Sequence, residues 1–470
     1  MIKCSLAVDI GASSGKVFAG YTEHGKLQIK EIYRFDNQIK EEKGFLVWDL
    51  ETIYFEIKKG IQKCKKENLF PESIGIDTWA VDFVLLDEED NLCSSAVTYR
   101  DSRTDGISDE VLEVINKKQL YSKTGIQFLK FNTIYQLYAT KKYTPEILKK
   151  AKSFLMIPDY LNFLLTGKKK NEYTNASTTQ LLNTYDKTWD SDILTKLGIN
   201  KNIFLDILPP QSYLGSLKEE LVKEFGFDMK VILPATHDTA SAVVSVSNTE
   251  NTIYISSGTW SLIGIEVDKP MINDKAMDYN FTNEGGINYR YRFLKNIMGL
   301  WMIQEIKRYY NNQYSFVDFV ELAQNEKGFN STVNVNENRF LKPDDIVYEI
   351  QSYCKETKQQ IPKTIGQIAK CIFDSLILSY KKTIEEIEDI CQRKFDNIQI
   401  VGGGANNTVL NQMLADKTGK KVFAGPIEAT SIGNIVSQLI ALGKIEDLQS
   451  ARSLVYKSFE IEEYKKQDKH

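Results

Sequence analysis

The residues best equipped for chemistry stand where apolar runs end. Asp9 sits in Ala7-Val8-Asp9-Ile10 and is followed at once by Gly11-Ala12-Ser13-Ser14-Gly15-Lys16. A small, hydroxyl-bearing turn between glycines lets bare backbone N–H groups approach a phosphate. Asp9 beside it offers the oxygen that a phosphate-bound Mg²⁺ needs. A second acid, Asp238, lies in Ala235-Thr236-His237-Asp238-Thr239, between the apolar run at 231–234 and a helix of small residues at 240–246. At a helix start the positive end of the dipole keeps a carboxylate ionised. Such a group can take the proton of a hydroxyl that attacks a γ-phosphate. Asp is also a common helix N-cap, so position alone does not decide its role. His237 can orient a sugar hydroxyl or be a plain loop residue.

The first turn is not a P-loop. That motif reads G-x-x-x-x-G-K-[ST] between a strand and a helix. Here Gly11 to Gly15 is one residue short, and Lys16 is followed by Val17, which has no hydroxyl. The β-branched and aromatic residues after Lys16 predict a β-hairpin instead. An ordinary Gly-Ser hairpin has the same composition, so a phosphate role depends on what accompanies it. Two further glycine-rich turns follow strand-like runs, at 257–259 and at 402–404. The triple glycine lacks the G-x-G-x-x-G spacing of a dinucleotide fingerprint. Three such turns and a strand–Asp–helix element predict a nucleotide held in a cleft between two similar domains. The first two turns would grip phosphates and the third would make room for an adenosine.

The elements that position these residues can be read from periodicity. Residues 4–10, 17–22 and 27–35 alternate like the strands of an antiparallel meander, and Ile53, Ile57, Ile61 and Cys64 follow at helical spacing. Residues 73–78 form a second short apolar strand ending in Asp77-Thr78. Three strands, a helix and a strand make an α/β fold. A strand-like run crosses 79–86 with Asp82 inside it, and such a charge must be paired or bind something, unless alternation puts it on an exposed face. Asp82 is therefore a candidate for contacting a substrate. Tyr99-Arg100-Asp101-Ser102-Arg103 reads as a solvated loop or a polar cluster, and the run Thr174 to Thr179 as a cap or a surface for a hydroxylated ligand. Asn132 and Pro158 each open a helix.

A length of 470 residues calls for two domains. The polar stretch Ser247-Asn248-Thr249-Glu250-Asn251 is the candidate boundary, giving domains at 1–247 and 248–445 and a charged, peripheral tail at 446–470. In the second half, 311–345 reads as polar and irregular, and a long amphipathic helix begins at Ile365. The formal net charge of −4, from 59 basic and 63 acidic residues, gives no basic excess for nucleic acid or an anionic membrane. No signal peptide or membrane-spanning run is evident. The six cysteines show no C-x-x-C pair and are expected to be reduced thiols. The three histidines, His24, His237 and His470, are too few for a histidine-rich metal site.

These segments also resemble the FGGY family of carbohydrate kinases, within the actin-like, ribonuclease H-like ATPases. The resemblance runs from Asp9 to about Gly443. It rests on residues 9–16, 77–83, 99–103, 237–243, 256–262, 296–301 and 401–404, with Gly258-Thr259-Trp260-Ser261 and His237 to Ser241 the most specific. It implies two ribonuclease H-like α/β domains with a cleft between them, and transfer of the ATP γ-phosphate to the 1-hydroxyl of L-rhamnulose. L-fuculose and L-xylulose are the alternative ketoses, and a non-catalytic actin-like nucleotide-binding protein is the alternative class. By position, Asp238 matches the catalytic base. Ala12, Ser13, Ser14, Gly15, Lys16, Thr259, Gln304 and Gly402 match the ATP side. Ala80, His237, Asp238, Thr239 and Asn296 match the sugar side, joined by Asp82, and Asp9 holds Mg²⁺ through water. Two positions depart from the family pattern. Ala80 stands where glycine is more frequent, and Lys16 where arginine is common, which keeps the charge but loses the fork. The implied setting is a cytoplasmic monomer or weak homo-oligomer that uses ATP, Mg²⁺ and a small ketose.

Overall fold

The computed structural model describes residues 1–247, 250–341 and 343–467. Asn248 and Thr249 of the expected boundary, and His470, lie outside the described residues. The chain forms two compact units that are discontinuous in sequence. The first comprises 1–247, 266–293 and 428–459, and the second 248–265, 294–427 and 460–470. A single cut at 247 therefore captures only part of the division, because two later segments return to the first unit. Such returns depend on long-range packing and leave no mark in local composition.

In the first unit the strand Ile2–Ile10 pairs antiparallel with Ser14–Glu23, which pairs antiparallel with Lys26–Asp36. On its other side Ile2–Ile10 pairs parallel with Leu69–Thr78, in register Asp9 to Asp77 and Ile10 to Thr78. Lys230–Ile232 continues the parallel ladder and Tyr213–Ser216 closes it as an antiparallel edge. The parallel crossover passes through the helix Leu50–Lys66, capped by Asp49, whose carboxylate accepts from the N–H of Thr52 at 3.2 Å. Ile53, Ile57, Ile61 and Cys64 are its buried face, as their spacing predicts.

The second unit repeats the same pattern. Thr252–Ser257 pairs antiparallel with Trp260–Val267 and parallel with Asn397–Val401, which pairs parallel with Lys421–Ala424. The long helix Ile365–Cys391 precedes the parallel strand Asn397–Val401. Two units that each open on a hairpin and continue into parallel strands agree with the expectation of two similar domains.

Some expectations need correction. Asp82 precedes the strand Phe83–Leu86 and is 1 % exposed, so it is not an acid on an exposed strand face. Within 311–345 a helix spans Phe316–Asn325, with a reciprocal Ser315–Asp318 capping box. Its Phe319, Val320 and Ala323 are buried at the spacing of one helical face, hidden in the sequence by surrounding polar residues. Asn132 opens the helix Thr133–Tyr143, but its side chain caps nothing there and donates instead to the Gln127 carbonyl and Gln180. The tail is only partly peripheral. Leu448–Ser458 is a helix that buries Leu448, Ala451, Arg452 and Val455. Arg452 there pairs with the buried Glu266.

Candidate active site

The first unit gathers its acids at one end of its parallel strands, the end at which open α/β sheets bind ligands. Asp9 and Asp77 are register partners on adjacent strands. The strand of Asp77 ends at Thr78, whose N–H donates to the Thr236 carbonyl at 2.9 Å and which forms an isolated bridge to His237. This delivers Asp238 to the same end, as the first residue of the helix Asp238–Val244. The N-cap is His237, so Asp238 is not the cap itself. Its Oδ1 accepts from the N–H of Thr239 at 2.5 Å, and its side chain is 30 % exposed. A carboxylate held by one oxygen at a helix start, with access to solvent, can receive a proton from a bound hydroxyl.

These acids share one electrostatic field. Burial pushes Asp9 up to about 7; Lys16 pulls it down, and Asp238 and Glu428 add to the rise. Burial also raises Asp77 well above the usual carboxylate range, with Asp9 contributing, while the amide of Asn434 donates to it at 2.6 Å and opposes the rise. The second oxygen of Asp77 is buried without a hydrogen-bond partner. Crowded, partly unsatisfied carboxylates suit a divalent cation. Among the described residues no cluster of three or more His, Cys, Asp or Glu could hold a metal alone. Mg²⁺ takes one or two carboxylates and completes its shell with water and substrate phosphates. Asp9 is the residue that would face it.

The first turn is tight. The Gly11 N–H donates to the Ser14 carbonyl at 2.9 Å, so Ala12 and Ser13 form a two-residue hairpin turn. Asn37 clamps it, donating its amide to the Gly11 carbonyl at 2.9 Å and its N–H to the Ser13 carbonyl at 3.0 Å. Lys16 reaches Glu428, the residue before the helix Ala429–Ala441, at 2.8 Å. From that helix Ser431 donates to Asp9 at 3.4 Å and Asn434 to Asp77.

Asp82 is a saturated anchor. It accepts from Trp48 at 2.7 Å, Trp79 at 3.0 Å, Gln136 at 2.9 Å and the N–H of Tyr99 at 3.1 Å. These bonds oppose the rise that burial imposes on it. They also hold the preceding loop, in which the Asp82 N–H donates to the Ala80 carbonyl at 2.9 Å across Val81 at φ +66°. Positive φ at a β-branched residue is strained. Asp82 thus holds the loop that carries Ala80. Arg103 joins this network by donating to Gln136 at 2.8 Å.

Reasoning from sequence misses several residues here. Glu172 is fully buried and accepts from Thr174, Asn175 and both the N–H and hydroxyl of Thr236. It ties the polar run at 174–179 to the segment before His237. The hydroxyls of Ser177, Thr178 and Thr179 donate to carbonyls three residues earlier, the back-bonding of a short helical turn and not a cap. Arg292 and Glu284 surround His237. Asp77 carried a signal, an acid ending an apolar strand. Glu172, Glu284 and Arg292 carried none, being single charges in unremarkable local sequence.

In the second unit the hairpin turn at Gly258-Thr259 receives the next helix. The Thr259 carbonyl accepts from Gly299 at 3.2 Å and Trp301 at 3.3 Å, and Gln304 lies one turn on in Trp301–Tyr309, exposed. Gly402 has φ +82° and lies against Ser257, where a Cβ would meet the Ser257 carbonyl at 3.2 Å. A Cβ on Gly404 would come within 2.0 Å of the Ser257 hydroxyl. Thr259, Gln304 and Gly402 are thus grouped around one hairpin. Asn296 is half-buried on the strand Tyr291–Met298, also in this unit, so the sugar-side candidates are divided between the two units.

Residues 4–245 match the model of the N-terminal domain of the FGGY family of carbohydrate kinases, and residues 253–442 match that of the C-terminal domain. The chain belongs to the FGGY family of carbohydrate kinases. Its relatives include a rhamnulokinase of Halalkalibacterium halodurans, 58% identical over 99% of both chains. Another is a rhamnulokinase of Oceanobacillus iheyensis, 56% identical over 99% of both. A rhamnulokinase of Bacillus subtilis is 44% identical over 98% of this chain and 95% of the relative. Solved structures with the same fold include a xylulose kinase from Lactobacillus acidophilus, with a TM-score of 0.82 at 18% identity, covering 99% of this chain and 94% of that one. A glycerol kinase from Plasmodium falciparum with ADP has a TM-score of 0.79 at 15% identity, covering 99% and 95%. The family and its fold agree with the resemblance read from the motifs: an α/β enzyme of the actin-like ATPase type that transfers phosphate to a sugar. Among the described residues no helix is long and apolar enough to cross a membrane.

Proposed function

We propose that the chain transfers the γ-phosphoryl group of ATP to the 1-hydroxyl of L-rhamnulose, giving L-rhamnulose 1-phosphate and ADP, in the breakdown of L-rhamnose. The observation that carries this reading is end-to-end similarity to rhamnulokinases at 58% identity, together with an accessible carboxylate, Asp238, at the start of its helix.

In this reading the hairpin from Ala12 to Lys16 receives phosphates through backbone N–H groups and the Lys16 ammonium. Thr259, Gln304 and Gly402 serve the nucleotide. The loop presenting Ala80, the segment from His237 to Thr239, and Asn296 serve the sugar. Asp238 takes the proton from the 1-hydroxyl as that oxygen forms its bond to the γ-phosphorus and the bond to the β-phosphate oxygen of ADP breaks. Mg²⁺ neutralises phosphate charge when bound, and Asp9 holds it through water. ATP use fits a cytoplasmic enzyme.

A panel of L-rhamnulose, L-fuculose and L-xylulose with coupled ADP detection tests the substrate. L-rhamnulose is expected to give the highest kcat/KM, and its being the poorest of the three would overturn the assignment. Asp238→Asn tests the base and separates an enzyme from a nucleotide-binding protein without catalysis. A loss of about 100- to 10,000-fold in kcat is expected for a general base, with unchanged thermal stability. Full sugar-dependent ADP release in that variant would refute the role.

A further inference from the structure

Arg292 is completely buried and its guanidinium is shared. Its Nη2 lies 3.0 Å from Nδ1 of His237 and 3.0 Å from Oε2 of Glu284, and its Nε donates to the Gly285 carbonyl at 2.9 Å. A guanidinium donates and never accepts. Nδ1 of His237 is therefore the acceptor of that hydrogen bond, and the proton of the neutral ring resides on Nε2. Nε2 lies 3.3 Å from Oδ1 of Asp238. The same oxygen already receives the N–H of Thr239.

We propose that Arg292 is a positioning residue for phosphoryl transfer: it fixes the tautomer of His237, which then holds Oδ1 of Asp238 and leaves Oδ2 to receive the proton of the sugar. This rests on the reading of Asp238 as the base. The chain of contacts runs Glu284, Arg292, His237, Asp238, all within the first unit. Each member has a direction. Glu284 neutralises the buried guanidinium, the guanidinium donates to Nδ1, and Nε2 turns its N–H toward the carboxylate.

Glu284 explains why the guanidinium is needed. Its Oε2 lies 3.4 Å from Nδ1 of His237. Without Arg292, Nδ1 would face the Glu284 carboxylate and would carry the proton itself. The lone pair of Nε2 would then face Asp238 and repel the oxygen it now holds. Both ring nitrogens of His237 are in this arrangement directed at protein groups, and its side chain orients the base.

The tautomer can be read directly. The chain has three histidines, so the imidazole nitrogen-15 spectrum of the full-length protein is simple, and His237→Gln identifies the signal of interest. The wild-type ring is expected to show the Nε2–H pattern, and Arg292→Met to lose it. In Arg292→Met, kcat is expected to fall about 100-fold, the scale of a small misplacement at a reacting centre, with KM for ATP unchanged. Arg292→Lys, whose ammonium also only donates, is expected to restore the tautomer and part of kcat. If Arg292→Met does not fold, the double variant Glu284→Gln, Arg292→Met removes the stranded charge and is expected to show the same loss of kcat. Persistence of the Nε2–H pattern with normal kcat in a variant lacking the guanidinium would overturn the proposal. So would equal loss of kcat in the Met and Lys variants with the wild-type tautomer in both. Full activity of Asp238→Asn would instead remove the base reading, while the tautomer result would stand by itself.

Discussion

Nζ of Lys16 lies 2.8 Å from Oε2 of Glu428. The cation of the first hairpin is thus tied to the start of the helix Ala429–Ala441, whose Ser431 and Asn434 reach Asp9 and Asp77. Hairpin, acids and helix form one electrostatic unit. In the proposed reaction an arriving phosphate competes with Glu428 for the ammonium.

Removing that ammonium should weaken ATP binding. A hydrogen bond to a charged group contributes about 1.5–3 kcal/mol, so Lys16→Ala is expected to raise KM for ATP by about 10-fold or more. Glu428→Gln frees Lys16 and is expected to lower KM for ATP or leave it unchanged. Steady-state kinetics with ATP varied at saturating sugar distinguishes these outcomes.

Asp9 makes stability depend on pH. Its proton is bound more tightly in the folded chain, where burial lifts it from the ordinary 3.8 to about 7. Its contribution is therefore fully present below about pH 4 and is lost as pH rises through 7. The effect is on the order of a few kcal/mol, since each tenfold gain in proton affinity is worth about 1.4 kcal/mol. Without nucleotide or metal, thermal melts should show this group favouring the fold more at pH 5.5 than at pH 8. Asp9→Asn should flatten that difference and raise the melting temperature at pH 8 while abolishing activity.

Glu172 should matter well beyond its local turn. Its carboxylate accepts from Thr174, Asn175 and Thr236 and contains no donor of its own when ionised. Glu172→Gln turns an amide against some of these donors. Each buried group left unpaired costs about 1–3 kcal/mol. The variant should melt at lower temperature and lose kcat more than it raises KM for ATP, because Thr236 adjoins the segment carrying Asp238.

Close helix contact makes Gly433 sensitive. A Cβ there would lie 1.7 Å from the Ser241 carbonyl on the helix that begins with Asp238. Gly433→Ala should cost about 1–3 kcal/mol by overpacking, and differential scanning calorimetry should show a lower melting temperature. Gly403→Ala, where no atom lies within 4 Å of the added carbon, is the comparison that should leave stability almost unchanged.

Local rules carried most of the fold. Alternation marked the meander, helical spacing marked Leu50–Lys66, and glycines marked the two hairpin turns, because backbone preference and side-chain periodicity act over a few residues. The irregular stretch at 311–345 misled because a single buried face, Phe319, Val320 and Ala323, is diluted by polar neighbours. Asp9 and Asp238 stood out in the sequence as candidates, and Asp77 only as an acid ending an apolar strand. The four hydrogen bonds that Asp82 accepts were not legible, since a sequence does not show which donors will converge on a carboxylate.

The sequence by itself determined the α/β class, the two hydroxyl-rich hairpins and the family, and it singled out Asp9 and Asp238 as candidate acids. Those follow from residue type and short-range order. Only the tertiary structure decided that Asp9 and Asp77 are register partners, that Lys16 meets Glu428 across 412 residues, and that Arg292 reaches His237 from 55 residues away. Such pairings arise when packing brings distant segments together, and the cost of burying an unpaired charge then selects the partners.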